Sequence, residues 1–230
     1  MISGRALAAS AVIPSVGFVV TGGRDRNGNI LDTIEVLDDD WNVVSGTHGP
    51  THQHCAVTFQ GNSLLVTGGI VDRKRTDQAL MITLETDHGY TSTVTALPSM
   101  NHARARHGCA AADLSTGLVY VVAGGYRAKG EVLDTVEMFT FEDKPEEGSW
   151  EFLGSLLQPR YSLTVVSSFG QLIIAGGRSD TEKEEYPALP VLKYVWEEAS
   201  WVQWEEFSTT RTSHVTLVMD KVVEKGWVLS

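Results

Sequence analysis

Four Gly-Gly pairs recur along this 230-residue chain, each at the end of a short run of valine, isoleucine, leucine and threonine. The pairs are Gly22-Gly23, Gly68-Gly69, Gly124-Gly125 and Gly176-Gly177. Successive pairs are 46, 56 and 52 residues apart, counted between their first glycines. A sequence that repeats at about 50 residues is typical of solenoids and propellers. This periodicity therefore constrains the fold more than any single residue does.

The segments around each glycine pair repeat as well. An Asp-Thr-Ile/Val-Glu strand follows the first and third pairs, at Asp32 to Glu35 and at Asp134 to Glu137. A tryptophan comes next in three of the repeats, and each unit restarts with a turn that carries arginine or histidine. Short strands separated by turn residues every 8–12 positions indicate an all-β fold. The restarts begin at or near Arg5, His52, Arg106, Arg160 and Arg211.

This order of motifs resembles the kelch repeat, and the resemblance covers nearly the whole chain. It implies a β-propeller in which each repeat forms one four-stranded antiparallel blade around a central channel. The sequence thus predicts a single domain with four complete repeats, at about 1–47, 48–100, 101–155 and 156–207, and a truncated fifth at 208–230. We expect part of a larger propeller, completed by missing blades or a second chain. A tight five-bladed ring is the alternative.

Composition limits the classes of partner. The formal net charge is −11, which argues against nucleic acid as a ligand. No apolar run is long enough for a transmembrane helix, so no membrane association is expected. Cys55 and Cys109 occupy equivalent positions in adjacent repeats, and we expect both to be buried free thiols, which favours a cytoplasmic location.

Arginines collect at the repeat starts and directly after two glycine pairs, while acidic residues cluster in the loops predicted to lie outside. In a propeller, the repeat starts and the loops after the glycines converge on one opening of the channel. Guanidinium groups bind carboxylates in a bidentate way, so the sequence predicts that this opening binds an acidic protein or peptide. The predicted partner-binding residues are Arg5, Arg24, His52, His54, Arg104, Arg106, Tyr126, Arg160, Tyr161, Arg178 and Arg211.

The resemblance to the kelch repeat also implies an acidic ligand. In the kelch-like adaptors of cullin-type ubiquitin ligases, arginines at these two kinds of position hold acidic degron peptides. Arg24 and Arg178 match the position after Gly-Gly, and the arginines at the repeat starts match the other. The second repeat departs from this pattern because it carries His52 and His54 instead of arginine. No BTB-like domain is recognisable, so we expect substrate recognition without ligase recruitment.

Other interpretations remain open on the sequence alone. Each arginine could pair with a nearby carboxylate, and the carboxylates of the Asp-Thr-Ile/Val-Glu strands are expected to cap turns and pair with arginines of adjacent blades. A cytoskeletal, actin-associated scaffold is one alternative function. A kelch-fold enzyme, such as a sugar isomerase or a metal-dependent enzyme, is another, with His48, His52 and His54 as the densest group of potential ligands. We predict no enzymatic activity, no cofactor and no metal site.

Overall fold

The structure is a computed structural model and describes residues 1–46, 48–114, 117–128, 130–179 and 188–205. Within these ranges the chain forms four antiparallel sheets of four strands, one for each Gly-Gly pair. The predicted fifth repeat, at 208–230, lies outside the described residues. In the described part of the chain, no helix is long and apolar enough to cross a membrane.

Each sheet is one blade, and its four strands follow one another in space as they do in sequence. Blade 1 contains β1 (Ala9–Ile13), β2 (Gly17–Thr21), β3 (Ile34–Leu37) and β4 (Trp41–Val44). Blade 2 contains β5 (Cys55–Thr58), β6 (Ser63–Thr67), β9 (Ala79–Glu85) and β10 (Thr91–Leu97). Blade 3 contains β11 (Gly108–Leu114), β12 (Gly117–Ala123), β15 (Thr135–Thr140) and β16 (Ser149–Ser155). Blade 4 contains β17 (Thr164–Ser168), β18 (Gln171–Ala175), β19 (Val191–Val195) and β20 (Ser200–Glu205).

The remaining elements are small. After the glycine pairs of blades 2 and 3, the chain forms short hairpins from β7 (Ile70–Val71) with β8 (Lys74–Arg75) and from β13 (Tyr126–Ala128) with β14 (Glu131–Val132). Two single-turn 3-10 helices, Pro145–Glu147 and Trp196–Glu198, precede the last strands of blades 3 and 4.

The strands that lead into the glycine pairs form the inner part of each blade's core. All five residues of β6 are buried, as are the last five of β12. Burial on both faces explains why these strands are continuous runs of apolar and β-branched residues without alternation. The all-β blade predicted from the sequence is confirmed.

Apolar clusters between neighbouring blades hold them together. One cluster joins blades 1 and 2, a second joins blades 2 and 3, and a third joins blades 3 and 4. Trp150 belongs to the second cluster and donates its indole N–H to the Pro98 carbonyl of blade 2 at 2.8 Å. Trp201 belongs to the third and donates to the Leu153 carbonyl of blade 3 at 3.1 Å. The tryptophans therefore bind blade to blade by packing and by hydrogen bonds.

The first strands of consecutive blades lie side by side around the central axis: β1 contacts β5, β5 contacts β11, and β11 contacts β17. Cys55 starts β5, and Cys109 is the second residue of β11. Their Cα atoms are 6.0 Å apart, and the sulfurs form a disulfide. The prediction that both cysteines are free thiols was wrong, because equivalent positions on adjacent inner strands lie at disulfide distance. A cytoplasmic location stays a prediction.

We expect the double variant Cys55→Ala/Cys109→Ala to lose about 2–4 kcal/mol of unfolding free energy, because the bridge closes a long loop with 54 residues of sequence separation. Urea unfolding of oxidised protein measures this loss. A reductant should lower the urea midpoint of the wild type. It should leave the midpoint of the double variant, which serves as the control, unchanged. Equal midpoints for oxidised and reduced wild type would contradict the prediction.

Candidate functional site

The blade-start segments, residues 5–8, 51–54, 104–107 and 160–163, surround one end of the channel. We call this end the mouth. In each segment the second residue pairs, in an isolated antiparallel bridge, with the residue that directly follows the blade's Gly-Gly pair. These bridges are Ala6 with Arg24, His52 with Ile70, Ala105 with Tyr126, and Tyr161 with Arg178. The mouth is therefore built from the two kinds of segment that the sequence predicted to converge.

The four antiparallel bridges correct the alignment of the blade-start residues between repeats. Arg104, and not Arg106, is the counterpart of Arg160 and Arg5, since each of these three stands one residue before the bridged position. Arg106 comes two residues later and corresponds to Leu7, Gln53 and Ser162. Two arginines in one segment made both alignments possible from sequence alone.

The residues at the Arg106 position share an unusual backbone. Leu7, Gln53, Arg106 and Ser162 all have positive φ, between 52° and 58°. Their backbones form a chain of hydrogen bonds around the axis: Gln53 N–H donates to Leu7, Arg106 N–H to Gln53, and Ser162 N–H to Arg106, at 2.7–2.9 Å. A left-handed conformation is costly for residues with a Cβ, so the surrounding structure must impose it. The mouth is consequently a rigid feature.

Three of the predicted binding residues lie inside the blades and not at the surface of the mouth. The side chains of Arg5 and Arg104 are almost fully buried, and Arg160 is 0% exposed. Each guanidinium donates to the carbonyl of the first glycine of its pair and to a carbonyl at the start of the third strand. For Arg104 these distances are 2.7 Å to Gly124 and 3.1 Å to Thr135. These arginines hold the Gly-Gly turn in place and cannot reach a partner.

In blades 1 and 3 the buried arginine also pairs with the glutamate of its own Asp-Thr-Ile/Val-Glu strand, Glu35 or Glu137. The expectation of pairs between adjacent blades was wrong, because strand pairing brings both residues into one blade. Burial by itself raises the pKa of Glu35, but hydrogen bonds from Ile2 N–H and Arg5 lower it more, so its net pKa is below the ordinary value. Burial lowers the pKa of Arg160 to about 10, and blade 4 has Leu192 in place of the glutamate.

The histidines of the second repeat are also buried. His52 is 0% exposed and His54 is 7% exposed, and neither ring has a hydrogen-bond partner among the described residues. His54 lies beside His48, with ring centroids 5.9 Å apart. Among the described residues, no group of three His, Cys, Asp or Glu side chains is arranged to hold a metal ion.

Four predicted residues do lie together at the mouth. Arg24 is exposed, while Arg106, Tyr126 and Arg178 are half-buried. Tyr126 donates its hydroxyl to Gln53 Oε1 at 2.5 Å, and Arg106 Nε donates to the same oxygen at 3.0 Å. Gln53 therefore fixes an arginine and a tyrosine from the neighbouring blade.

The mouth continues across blades 2, 3 and 4. Arg75, in the hairpin after the second glycine pair, places its guanidinium carbon 4.7 Å from the centre of the Tyr126 ring. Tyr161 of blade 4 meets Tyr126 edge to face, with centroids 5.8 Å apart. These contacts join Arg75, Tyr126 and the buried Tyr161, and the Tyr126 ring face stabilises the Arg75 cation. Sequence reasoning missed Gln53 and Arg75.

The electrostatics of the mouth are positive. Within the part of the chain that the structure describes, Arg24, Arg75 and Arg106 form no ion pair with a carboxylate. Burial lowers the pKa of His52, and the charges of Arg24 and Arg106 lower it further. Among the described residues, three arginines at the mouth thus have no carboxylate within ion-pair distance.

Below the arginines, the channel opens as a cavity of about 470 Å³ between the four blades. Each blade contributes two neighbouring residues to its wall. These are Leu7 and Ala8, Gln53 and His54, Arg106 and His107, and Ser162 and Leu163. The last predicted binding residue, Arg211, lies outside the described residues.

Comparisons with known proteins agree with this architecture. No known protein-family profile matches the chain. An F-box/kelch-repeat protein of Arabidopsis thaliana is 34% identical to it over 111 residues, which are 48% of this chain and 27% of that protein. The chain thus spans about a quarter of that relative. The solved structure of YjhT matches 91% of this chain and 73% of its own, with a TM-score of 0.71 and 16% sequence identity, a likeness of fold alone. The chain folds as an all-β propeller, with four antiparallel four-stranded blades in the part that the structure describes, and about half of its sequence is similar to that of a kelch-repeat protein.

Proposed function

We propose that this chain is a protein-interaction module that binds an acidic peptide or loop at the mouth. A kelch-type propeller suggests an interaction module in general. The observation that supports an acidic ligand is that three arginines at the mouth, Arg24, Arg75 and Arg106, have no carboxylate partner among the described residues. The kelch-like adaptors that the sequence resembles bind acidic degrons at matching positions, and we propose the same class of ligand here.

The geometry suits an extended acidic segment. Arg75 lies over the Tyr126 ring, and Arg106 lies beside the Tyr126 hydroxyl through their shared bond to Gln53, so a carboxylate bound at either guanidinium would lie next to this tyrosine. Tyr161 of blade 4 is buried and packs edge to face against Tyr126, so it supports that ring from beneath the surface, and its backbone pairs with Arg178. A peptide lying across the mouth would contact blades 2 to 4, with guanidinium donors for its carboxylates and ring faces for its backbone and apolar side chains.

The test uses a fluorescein-labelled octapeptide of alternating glutamate and glycine, with a glutamine counterpart, in fluorescence anisotropy. We expect the wild type to bind the glutamate peptide, and Arg106→Gln to weaken binding about tenfold, or about 1.4 kcal/mol, because a charge-assisted hydrogen bond is lost. Arg24→Gln combined with Arg106→Gln should weaken binding further.

Lys144→Gln is the matched control, since Lys144 is an exposed cation that pairs with Glu147 away from the mouth. This variant removes the same charge and should bind like the wild type. Binding should also weaken as salt rises from 50 to 300 mM. Equal binding of the glutamate and glutamine peptides, or equal losses in Lys144→Gln and Arg106→Gln, would reject the proposal.

A further inference from the structure

A second concave surface lies at the opposite end of the blades from the mouth. It is a groove of about 570 Å³ between blades 3 and 4, which we call the far-face groove. Its walls come from the ends of β11 and β15 and from the hairpin between β17 and β18, all remote from the Gly-Gly turns. Leu114, Met138 and Trp196 form its apolar lining, and all three also pack against the core between these blades.

Phe169 stands at the edge of this groove and is 91% exposed. It is the first residue of a two-residue hairpin turn, because Ser168 pairs with Gln171. Its φ is 49° and that of Gly170 is 73°, both in the left-handed region. Turns of this kind favour asparagine or aspartate at the first position, since a bulky side chain is strained there. Neither packing nor turn chemistry accounts for a phenylalanine at this position.

The groove is rigid around this residue. The Trp196 indole N–H donates to the carbonyl of Gly170 at 3.0 Å, and the ring meets Tyr194 edge to face at 4.7 Å. A Cβ on Gly170 would lie 3.4 Å from the carbonyl oxygen of Asp113, so the hairpin of blade 4 is seated closely on blade 3. The apolar walls are therefore formed before any ligand arrives, which limits the ordering cost of binding.

The charged residues of the groove are acidic. Asp113 and Glu197 are exposed in its lining, which contains no lysine or arginine. Neither carboxylate forms an ion pair with any residue that the structure describes. A ligand for this surface therefore combines an apolar group with positive charge, the reverse of the chemistry at the mouth.

We propose that the far-face groove is a second binding site, for a peptide segment in which an aromatic or aliphatic side chain stands between basic residues. The apolar side chain packs among Leu114, Met138 and Trp196, with Phe169 closing over it. The flanking lysine or arginine side chains pair with Asp113 and Glu197. The strained turn is retained because it holds the phenyl ring where the ligand needs it.

The probe is a fluorescein-labelled pentapeptide with phenylalanine between two arginines, compared with versions that carry glutamates at the flanks or alanine at the centre. Binding is measured by fluorescence anisotropy. The wild type should bind the first peptide at least tenfold more tightly than either comparison peptide. Phe169→Asn should weaken binding at least tenfold and, because asparagine suits the turn, raise the midpoint of thermal unfolding.

Two further variants complete the design. Asp113→Asn with Glu197→Gln should weaken binding about tenfold and remove most of its salt dependence. Arg106→Gln, at the mouth, should leave it unchanged, which separates this site from the acidic-peptide site. Equal affinity for the three peptides, unaltered binding by Phe169→Asn, or loss of binding in Arg106→Gln would overturn the proposal.

Discussion

Replacing Glu137 with leucine is expected to lower the free energy of unfolding by about 3–5 kcal/mol, because the change leaves the Arg104 guanidinium buried without its counter-ion. The Glu137 carboxylate also accepts hydrogen bonds from Asn101 N–H at 2.6 Å and from His102 N–H at 3.1 Å. The substitution therefore removes a charge partner and frees the loop that leads into blade 3. Urea unfolding followed by tryptophan fluorescence measures the loss.

Two other blades fold without an arginine–glutamate pair at the positions of Arg104 and Glu137. Blade 4 keeps the buried arginine, Arg160, but has Leu192 at the glutamate position. Blade 2 lacks both charges, with Thr51 and Leu80 at the two positions. The double variant Arg104→Thr/Glu137→Leu reproduces the blade 2 combination inside blade 3. We expect it to lose less stability than the sum of the two single variants, since no unpaired charge stays buried.

The exposed pair of Arg127 and Glu131 provides the matched control. Its side chains are 48% and 40% exposed, so Glu131→Leu should cost far less stability than Glu137→Leu. A loss in Glu137→Leu no larger than that in Glu131→Leu would contradict the prediction. Losses of the single variants at Arg104 and Glu137 that simply add up in the double variant would also contradict it, because the two buried charges would then not stabilise each other.

The periodic glycines predicted the blades, because each marks a turn that the fold needs. Gly22, Gly68, Gly124 and Gly176 all have φ near 60°, and a Cβ on the first three would lie 2.3–2.5 Å from a carbonyl oxygen of the following blade start. Only glycine fits at the first position of the pair, which explains why the Gly-Gly motif is present in all four repeats. Trp150 and Trp201 were also predictable, since each packs between two blades, whereas Trp41 contacts Phe18 within blade 1.

The candidate site could be predicted only in part, because the sequence pattern does not distinguish a buried arginine from an exposed one. Arg104 and Arg106 stand two residues apart on one segment, yet one holds the Gly-Gly turn and the other lies at the mouth. The left-handed backbone of Arg106 itself sets its direction, and non-glycine residues in this conformation carry no sequence signature. Arg75 was missed because it reaches Tyr126 of the next blade from the β7–β8 hairpin, and no repeated motif marks its position.

Acidification from pH 7.5 to pH 5 is expected to destabilise the protein through its buried histidines. Burial lowers the pKa of His54 to about 3 and that of His48 to about 4, and burial also places the pKa of His107 well below its ordinary value. In the unfolded chain these side chains take up protons below about pH 6.5. The unfolded state then binds more protons than the folded state, so the free energy of unfolding is fully present above pH 6.5 and falls as pH decreases.

The loss should reach several kcal/mol between pH 6.5 and pH 4, at about 1.4 kcal/mol for each pH unit and each histidine that stays neutral in the fold. Leucine is the informative replacement, because blade 4 carries Leu163 at the position of His54 and His107, where the side chain packs against the first glycine of the preceding pair. His54→Leu/His107→Leu should therefore fold normally at pH 7.5 and flatten the pH dependence.

His88→Gln, at an exposed histidine, is the control and should follow the wild-type curve. Urea midpoints measured every half pH unit from 7.5 to 4.5 give the comparison. Carboxylates contribute mainly below pH 5, so the interval from 6.5 to 5 isolates the histidines. A wild-type curve that is flat in this interval, or a double variant as acid-sensitive as the wild type, would show that the buried rings of blades 2 and 3 do not control the response to acid.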